Sequence, residues 1–555
     1  MTISTMASRV VVLLSLALLG GSNVARAGVW QYSVPMPGTV EQRAYLWIPP
    51  TCKHVRGVVV GVQNMLEKPM FEDAGIRQAC ADASLGIVWV APGDEKPVRP
   101  PLNILFTPSD KGADALDQAL ADLAAESGYT EIKYAPLLPV GHSAATPFVW
   151  NLGMVRPDRV FAVLPYKGWI PGHAPEHMPV LHVSSEWAEW GKEWGLTWQK
   201  ERTAILRMRA DPGERELGEF VDAGTGHFDW NPDSAKVIGM FFRKAADARI
   251  PANAPLDAPV ALKAYPESAG VLVDASTLGT PNFAAYPVSA YKGDTKAAYW
   301  YIDTEMAAAC NKFAAERFAK KPQMIGFVVD GKPATMEKNG FADVGAKLQP
   351  DGITFKVEAA FLPQSPSATL FPGEALGHSA SPIQFRVGSG ALLQTGPDTF
   401  KVGLSQGGIQ RQGNPWEPWV MAFHPGDAEY RPADRPLHVW ISLLNTAGAP
   451  QTITWPQIAN QVAGVKSLKL NAVSDASLPI QYYVVSGPAE ANADGTLTFL
   501  PIPPRTRYPV KVRIAAFQWG RGIEPRVQSA GPVVQEFVIE KREGARDLGW
   551  LRRPW

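Results

Sequence analysis

Pro136-Leu137-Leu138-Pro139-Val140-Gly141-His142-Ser143-Ala144-Ala145 runs from an apolar stretch into a cluster of small residues. Thr146–Gly153 follows, with Pro147 where a helix tolerates proline, in its first turn. The spacing predicts a buried strand at 136–140, a sharp turn at 141–145 and a helix at 146–153. A strand-to-helix turn this tight needs small residues around its apex, because larger ones clash with the strand and helix it joins. It lifts the apical side chain, here the Ser143 hydroxyl, above the carboxyl end of the sheet. Ala145 stands where Gly is usual and is still small. A second copy of the tripeptide, Gly377-His378-Ser379, follows Pro372-Gly373-Glu374-Ala375-Leu376 and precedes Ser381-Pro382. No apolar strand leads into it, and it reads as loop.

Outward from the turn, strand and helix signals alternate. Arg43–Ile48, Gly57–Val62, Gly86–Ala91, Arg159–Leu164, Pro179–Val183 and Glu216–Asp222 read as strands. Gly57–Val62 is continuously apolar, as a strand buried on both faces requires. Phe71–Ala83, Ala113–Glu126, Glu193–Ala210 and Asp233–Asp247 read as helices. The alternation predicts an α/β fold with a doubly wound, mostly parallel sheet over residues 28–250. Arg249 to Pro266 holds four prolines and reads as a linker. Residues 257–455 form a β-rich region with one helix, Asp303–Lys320. Strand signals at Ser467–Leu470, Gln481–Val485, Thr496–Phe499, Val510–Phe517 and Val534–Ile539 mark a separate β module over 456–540. Through Leu478-Pro479-Ile480-Gln481-Tyr482-Tyr483 and Ser486-Gly487-Pro488-Ala489 this module resembles a bacterial immunoglobulin-like domain, which implies a β-sandwich.

A serine hydroxyl acts as a nucleophile only beside a base, and the base needs an orienting carboxylate. Gly224-Thr225-Gly226-His227-Phe228 follows the last predicted strand, and its glycines let the loop bring His227 over the sheet edge. Glu186 follows the strand at 179–183. The chain order Ser…Glu…His, the elbow and the late histidine resemble the α/β-hydrolase family over about 220 residues. The resemblance implies Ser143 as nucleophile, His227 as general base and Glu186 as orienting acid. Glu189, Glu193 and Asp222 are alternatives for the third role. It also implies two oxyanion donors: the N–H of Ala144 and, from the loop after Gly57–Val62, the N–H of Gln63 or Asn64. The family's glycine-rich sequence is absent from Val62-Gln63-Asn64-Met65.

The remaining signals bound the function. The 555 residues carry 53 basic and 53 acidic side chains, so net charge gives no case for nucleic acid as a partner. Arg9, the apolar run Val10–Leu19 and Ala25-Arg26-Ala27 have the order of a secretory signal peptide, predicting cleavage after residue 27 and export. Ten apolar residues are too few to span a bilayer, and no later stretch is long enough. Export permits a Cys52–Cys80 disulfide, with Cys310 left over; three unpaired thiols fit the spacing equally. No cysteine cluster suggests zinc, the spacing of His173, His177 and His182 does not favour a metal, and no cofactor is implied. Trp187, Trp190, Trp194 and Trp198 recur at helical spacing, as a core stripe or an aromatic platform. The short connection between the strands at 159–164 and 179–183 leaves the cleft open unless a later domain covers it. The reading is an exported serine hydrolase of carboxylic esters, with an acetyl or feruloyl ester on a polysaccharide as the favoured substrate. The alternatives are a secreted serine peptidase or polyester depolymerase, and a non-catalytic binding protein on a hydrolase scaffold.

Overall fold

A computed structural model describes residues 29–38, 42–92, 110–188, 195–196, 198–213, 215–334, 341–366, 370–404, 418–442 and 444–542. The signal segment lies outside them. Eight strands form the principal sheet: β1 (Tyr32–Pro35), β2 (Gln42–Trp47), β3 (Gly57–Val62), β4 (Leu85–Pro92), β5 (Leu137–His142), β6 (Leu164–Tyr166), β7 (Val180–Ser185) and β8 (Leu217–Asp222). Their order is β1-β2-β4-β3-β5-β6-β7-β8. The β1–β2 and β2–β4 pairs are antiparallel and every later pair is parallel.

Parallel strands need crossover helices, and those helices cover both faces. The crossovers are α1 (Glu67–Glu72), α2 (Ala74–Asp82), α3 (Asp110–Ser127), α4 (Thr146–Val155), α5 (Trp198–Arg209) and α6 (Ala235–Arg249). All six residues of β3 and all six of β5 are buried, as their unbroken apolar runs require. The single helix read at 71–83 is two. The Asp73 carboxylate accepts from the N–H groups of Gly75 and Ile76 and caps a new helix there, a bond that competes with continuing the old one.

The helix read from Glu193 begins only at Trp198. Trp187 instead belongs to a two-residue strand paired with Leu196, so the tryptophans do not share one helical face. Gly195 costs about 1 kcal/mol inside a helix that starts at Glu193, which disfavours the longer helix. Trp187 is buried among Met324, Leu370 and Leu376, and Trp198 stacks on Phe318 at 5.6 Å. Trp190 and Trp194 lie outside the described residues. Cys52, Cys80 and Cys310 are buried free thiols; the Cys52 thiol donates to the His54 carbonyl instead of bonding to Cys80.

The proline-rich stretch at 251–266 carries no helix or strand. The next elements nevertheless return to the first core. A three-stranded antiparallel sheet (Ala285–Pro287, Val271–Asp274, Ala298–Tyr301) and helix α7 (Thr304–Phe318) pack on the edge strand β8. The Tyr301 hydroxyl donates to the Glu219 carbonyl at 2.6 Å, and Phe220 meets Phe313 edge to face at 4.9 Å. Buried Arg209 joins the same seam through the Ala298 carbonyl at 3.0 Å and Glu267 at 2.7 Å.

Beyond α7 the chain is β-rich. One four-stranded sheet runs in the order Ala342–Gly345, Ala433–Trp440, Trp419–His424, Gln384–Ser389. Residues 461–540 contain a four-stranded and a three-stranded sheet. This last region folds back onto the first: Arg505 pairs with Glu131 at 2.8 Å and Lys511 with Glu126 at 3.0 Å.

The seam with β8 is close enough to test. A Cβ on Gly218 would lie 2.4 Å from the Trp300 carbonyl oxygen, a backbone atom that cannot swing aside. Gly218→Ala therefore forces the 271–301 sheet off the edge strand. Chemical denaturation should show a loss of about 1–3 kcal/mol, the usual cost of overpacking; an unchanged midpoint would mean the seam is loose.

Candidate active site

The site is built on the turn after β5. Ser143 has φ +53°, the left-handed region that a non-glycine residue occupies only when its surroundings compel it. Its neighbours supply the compulsion. A Cβ on Gly141 would lie 2.8 Å from the Ala145 carbonyl, so only glycine fits beside the helix start. A Cβ on Gly168 would meet the Ser143 carbonyl at 2.6 Å. Thr146 completes the brace, donating through its hydroxyl to the Ser143 carbonyl at 2.8 Å. The Ser143 side chain stays half-exposed at the sheet's carboxyl end.

Ser143 Oγ and His227 Nε2 stand 2.9 Å apart, so the two residues singled out from sequence meet across the top of the sheet. His227 is buried. Burial, and then the positive charge of Lys167, hold its pKa down to about 3, so the imidazole is neutral and able to accept a proton. His142 packs beside it with ring centres 4.9 Å apart, and its Nε2 bonds the His227 carbonyl at 2.9 Å. Burial also pushes the His142 pKa well below the usual imidazole range, so this second ring adds no charge.

The 224–229 loop is gripped from three sides. Buried Lys167 forms an ion pair with buried Asp222 at 2.7 Å. Its ammonium also donates to Thr225 Oγ1 at 2.9 Å, the Gly226 carbonyl at 3.0 Å and the Asp229 carbonyl at 2.9 Å. Asp434, from the β-rich region, accepts from the Gly226 N–H through both oxygens at 3.1 Å. Phe228 stacks on Trp419 at 5.2 Å, and Arg386 pairs with Asp229. The later sheet thus covers the outer side of the histidine loop, which the sequence reading left open.

Glu186 sits at the end of β7, as read from sequence, with a different task. One oxygen accepts from Arg431 at 2.9 Å and the other from the Gly224 N–H at 2.8 Å. Its own N–H donates to the Thr225 carbonyl at 3.1 Å. The carboxylate holds loop backbone and does not bond the imidazole. Burial raises its pKa, and the Arg431 charge opposes that rise. Asp222 does not bond the imidazole either. It accepts from Lys167, the Tyr166 hydroxyl at 3.0 Å and the Ser234 hydroxyl at 2.6 Å. Burial raises its pKa, but the Lys167 charge, with the bonds from Lys167 and Ser234, holds it below the ordinary value. Glu189 and Glu193 lie outside the described residues.

The oxyanion reading also changes. The Gln63 N–H, one expected donor, bonds the Val90 carbonyl at 2.7 Å and continues the sheet ladder. Buried Glu67 takes the N–H groups of Asn64 at 2.8 Å, Met65 at 2.9 Å and His142 at 2.7 Å. Burial pushes the Glu67 pKa up to about 7, against the pull of those bonds. The backbone after β3 is therefore committed to Glu67 and to the sheet. What remains there is the Asn64 side chain: its Nδ2 donates to the His142 carbonyl at 3.1 Å, and the amide's second proton has no acceptor among the described residues. Ala144 is exposed, and its N–H has no acceptor among the described residues.

The second Gly-His-Ser is a loop, and nearby it makes a serine–histidine contact of the wrong polarity. His424 Nδ1 accepts from the Gly426 N–H at 3.0 Å, so the ring proton is on Nε2 and points at Ser381 Oγ, 3.1 Å away. An imidazole that donates to a hydroxyl cannot deprotonate it. Two residues beside the first site were not singled out from sequence. A lysine after a short strand reads as surface, so Lys167 gave no signal. Trp169, whose carbonyl accepts from Thr146 at 3.1 Å and from Trp150 at 3.0 Å, is 55% exposed beside the elbow.

No family model matches the chain, and no curated protein matches it. Among solved structures, it is similar to a predicted CIB-like hydrolase from Thermoplasma acidophilum, with 12% identity, TM-score 0.28, and coverage of 39% of this chain and 99% of that one. An S-formylglutathione hydrolase from Agrobacterium tumefaciens has 11% identity and TM-score 0.30, covering 39% of this chain and 93% of that one. Est1E from Butyrivibrio proteoclasticus has 10% identity and TM-score 0.26, covering 37% and 95%.

Removing one partner of a buried ion pair strands the other charge. Lys167→Met should therefore cost about 3–5 kcal/mol in a denaturant titration. A loss below 1 kcal/mol would show that the Asp222 carboxylate does not need the lysine.

Proposed function

We propose that this protein is a serine hydrolase of carboxylic esters, exported by its N-terminal segment. The observation that carries the reading is the 2.9 Å approach of Ser143 Oγ to His227 Nε2 on a strained strand-to-helix turn. The Ser143 oxygen attacks the ester carbonyl while its proton passes to His227 Nε2. The oxyanion that forms is met by the Ala144 N–H and by the Asn64 side-chain amide. His227 returns the proton to the leaving alcohol, giving an acyl-enzyme. Water then repeats the sequence, and the carboxylic acid leaves. Glu186, Asp434 and Lys167 act through the loop backbone as positioning residues. His142 steadies the His227 carbonyl.

For the substrate, we propose an ester on a carbohydrate polymer, acetyl or feruloyl. Trp169 supports this choice, since its backbone is held against the elbow helix by Thr146 and Trp150 and its exposed indole offers a flat apolar face to a sugar ring or an aromatic acyl group. The 342–440 sheet, which reaches the histidine loop through Asp434, Arg386 and Trp419, borders the site and suits a long substrate; the module at 456–540 is immunoglobulin-like in this reading.

One set of variants tests the reading. Wild-type protein should be labelled by a fluorophosphonate and should hydrolyse p-nitrophenyl acetate; Ser143→Ala should do neither. Asn64→Ala should keep the label and lose about 10²–10³-fold in kcat, the usual effect of removing one oxyanion donor. Failure of the wild type to label or turn over would defeat the proposal.

A further inference from the structure

Of the described tryptophans, only Trp169 and Trp440 are exposed. Trp169 stands on the elbow side of the site. Trp440 is the last residue of the strand Ala433–Trp440, in the sheet that covers the histidine loop. Alternate side chains along a strand share a face, so Asp434, Pro436, His438 and Trp440 stand on one side. That side is turned to the catalytic core: Asp434 holds the Gly226 N–H, and the His438 ring lies 5.1 Å from Trp419, which stacks on Phe228. Leu437 and Val439, on the other side, are buried in the sheet's own core.

Burial on the catalytic side stops at the strand's end. His438 is buried, and Trp440, two residues on, is 48% exposed. The indole stands edge-on to His438 with ring centres 4.8 Å apart, a contact that fixes its tilt. It lies about 20 Å along the extended strand from Asp434 and the histidine loop. A cross-strand neighbour would ordinarily cover such a ring with its side chain. Here that neighbour is Gly345, which has none. A Cβ on Gly345 would meet nothing within 4 Å, so the flank of the indole is open. Gly345 also lies on an edge strand, Ala342–Gly345. The Ala346 N–H bonds the Trp440 carbonyl at 2.9 Å, and in this parallel pairing the N–H and C=O of Gly345 point the other way, out of the sheet edge. They are one donor and one acceptor without a partner among the described residues.

A sugar ring matches this surface. Its C–H face is apolar and packs on a flat indole, and its hydroxyls both donate and accept. We infer that Trp440 and the Gly345 backbone form a distal subsite for a sugar ring of the polymer that carries the ester. The inference rests on the proposed hydrolase reading and adds a second point at which its substrate is held. A polymer gripped at Trp440 keeps its ester near Ser143 between encounters, whereas a small ester has nothing to offer the subsite. Local sequence does not mark the site, because the exposure of Trp440 depends on a glycine far earlier in the chain.

The test compares acetylated xylan with p-nitrophenyl acetate, which is too short to span from Ser143 to Trp440. The quantity read is the ratio of kcat/KM for the polymer to kcat/KM for the small ester. Trp440→Ala should lower that ratio about tenfold, with the loss appearing in KM for the polymer. Trp440→Phe, which keeps an aromatic face, should retain most of it. Gly345→Leu, whose side chain has room, should lower the ratio with the indole still present. Tyr286→Ala, at an exposed aromatic on another sheet, should leave it unchanged. An unchanged ratio in Trp440→Ala would overturn the inference and leave the hydrolase reading standing. So would a dimer that Trp440→Ala dissolves, or a wild type that cleaves the small ester and not the polymer. A wild type that cleaves neither defeats the hydrolase reading itself.

Discussion

The buried ion pair of Lys167 with Asp222 is the interaction on which the site depends. Two charges taken wholly out of water are costly unless every remaining donor and acceptor is satisfied. Here the lysine's surplus protons go to the loop that carries His227, and the aspartate's surplus lone pairs go to Tyr166 and Ser234. The pair joins the turn after β6 to the end of β8 and fixes the path of residues 224–229 between them. Its positive charge adds to burial in keeping the imidazole neutral. One interaction thus bears on stability, geometry and protonation together.

Around it, carboxylates act mainly as acceptors for backbone. Glu67 gathers three N–H groups from two loops, Glu186 one and Asp434 one. Each holds a segment in a path that regular secondary structure does not supply. The arrangement has a chemical consequence. With the loop after β3 committed to Glu67, the proposed oxyanion donors are limited to the exposed start of the elbow helix and the Asn64 amide. The β-rich half is part of the same construction, since Asp434, Arg431 and Arg386 all reach the histidine loop or its support.

Much of the sheet was legible because burial on both faces demands unbroken apolar runs, and β3 and β5 are written that way. Ser143 and His227 were legible for a related reason, since small residues after a strand and glycines around a histidine are what those backbone paths require. The role of Glu186 was not. Its place after β7 follows from local pattern, but what it bonds depends on Arg431, far along the chain. Lys167 was invisible because nothing local distinguishes a buried lysine from an exposed one. The tryptophan spacing misled, because periodicity takes no account of the glycines at 191 and 195 that disfavour a helix there. The seam at 271–318 escaped for want of any sequence mark of which surface an apolar strand will meet.

The central claim is that burial and Lys167 hold His227 neutral as the base for Ser143. The most direct measurement is the pH dependence of kcat/KM for ester hydrolysis, with the fold followed by circular dichroism in the same buffers. A protonated imidazole cannot accept the serine proton, so activity is lost as pH falls through the pKa of the folded state. The account predicts an acid limb far below the ordinary imidazole value, toward about 3. A limb at about 6.5 or above, the value of an unperturbed histidine, would contradict it.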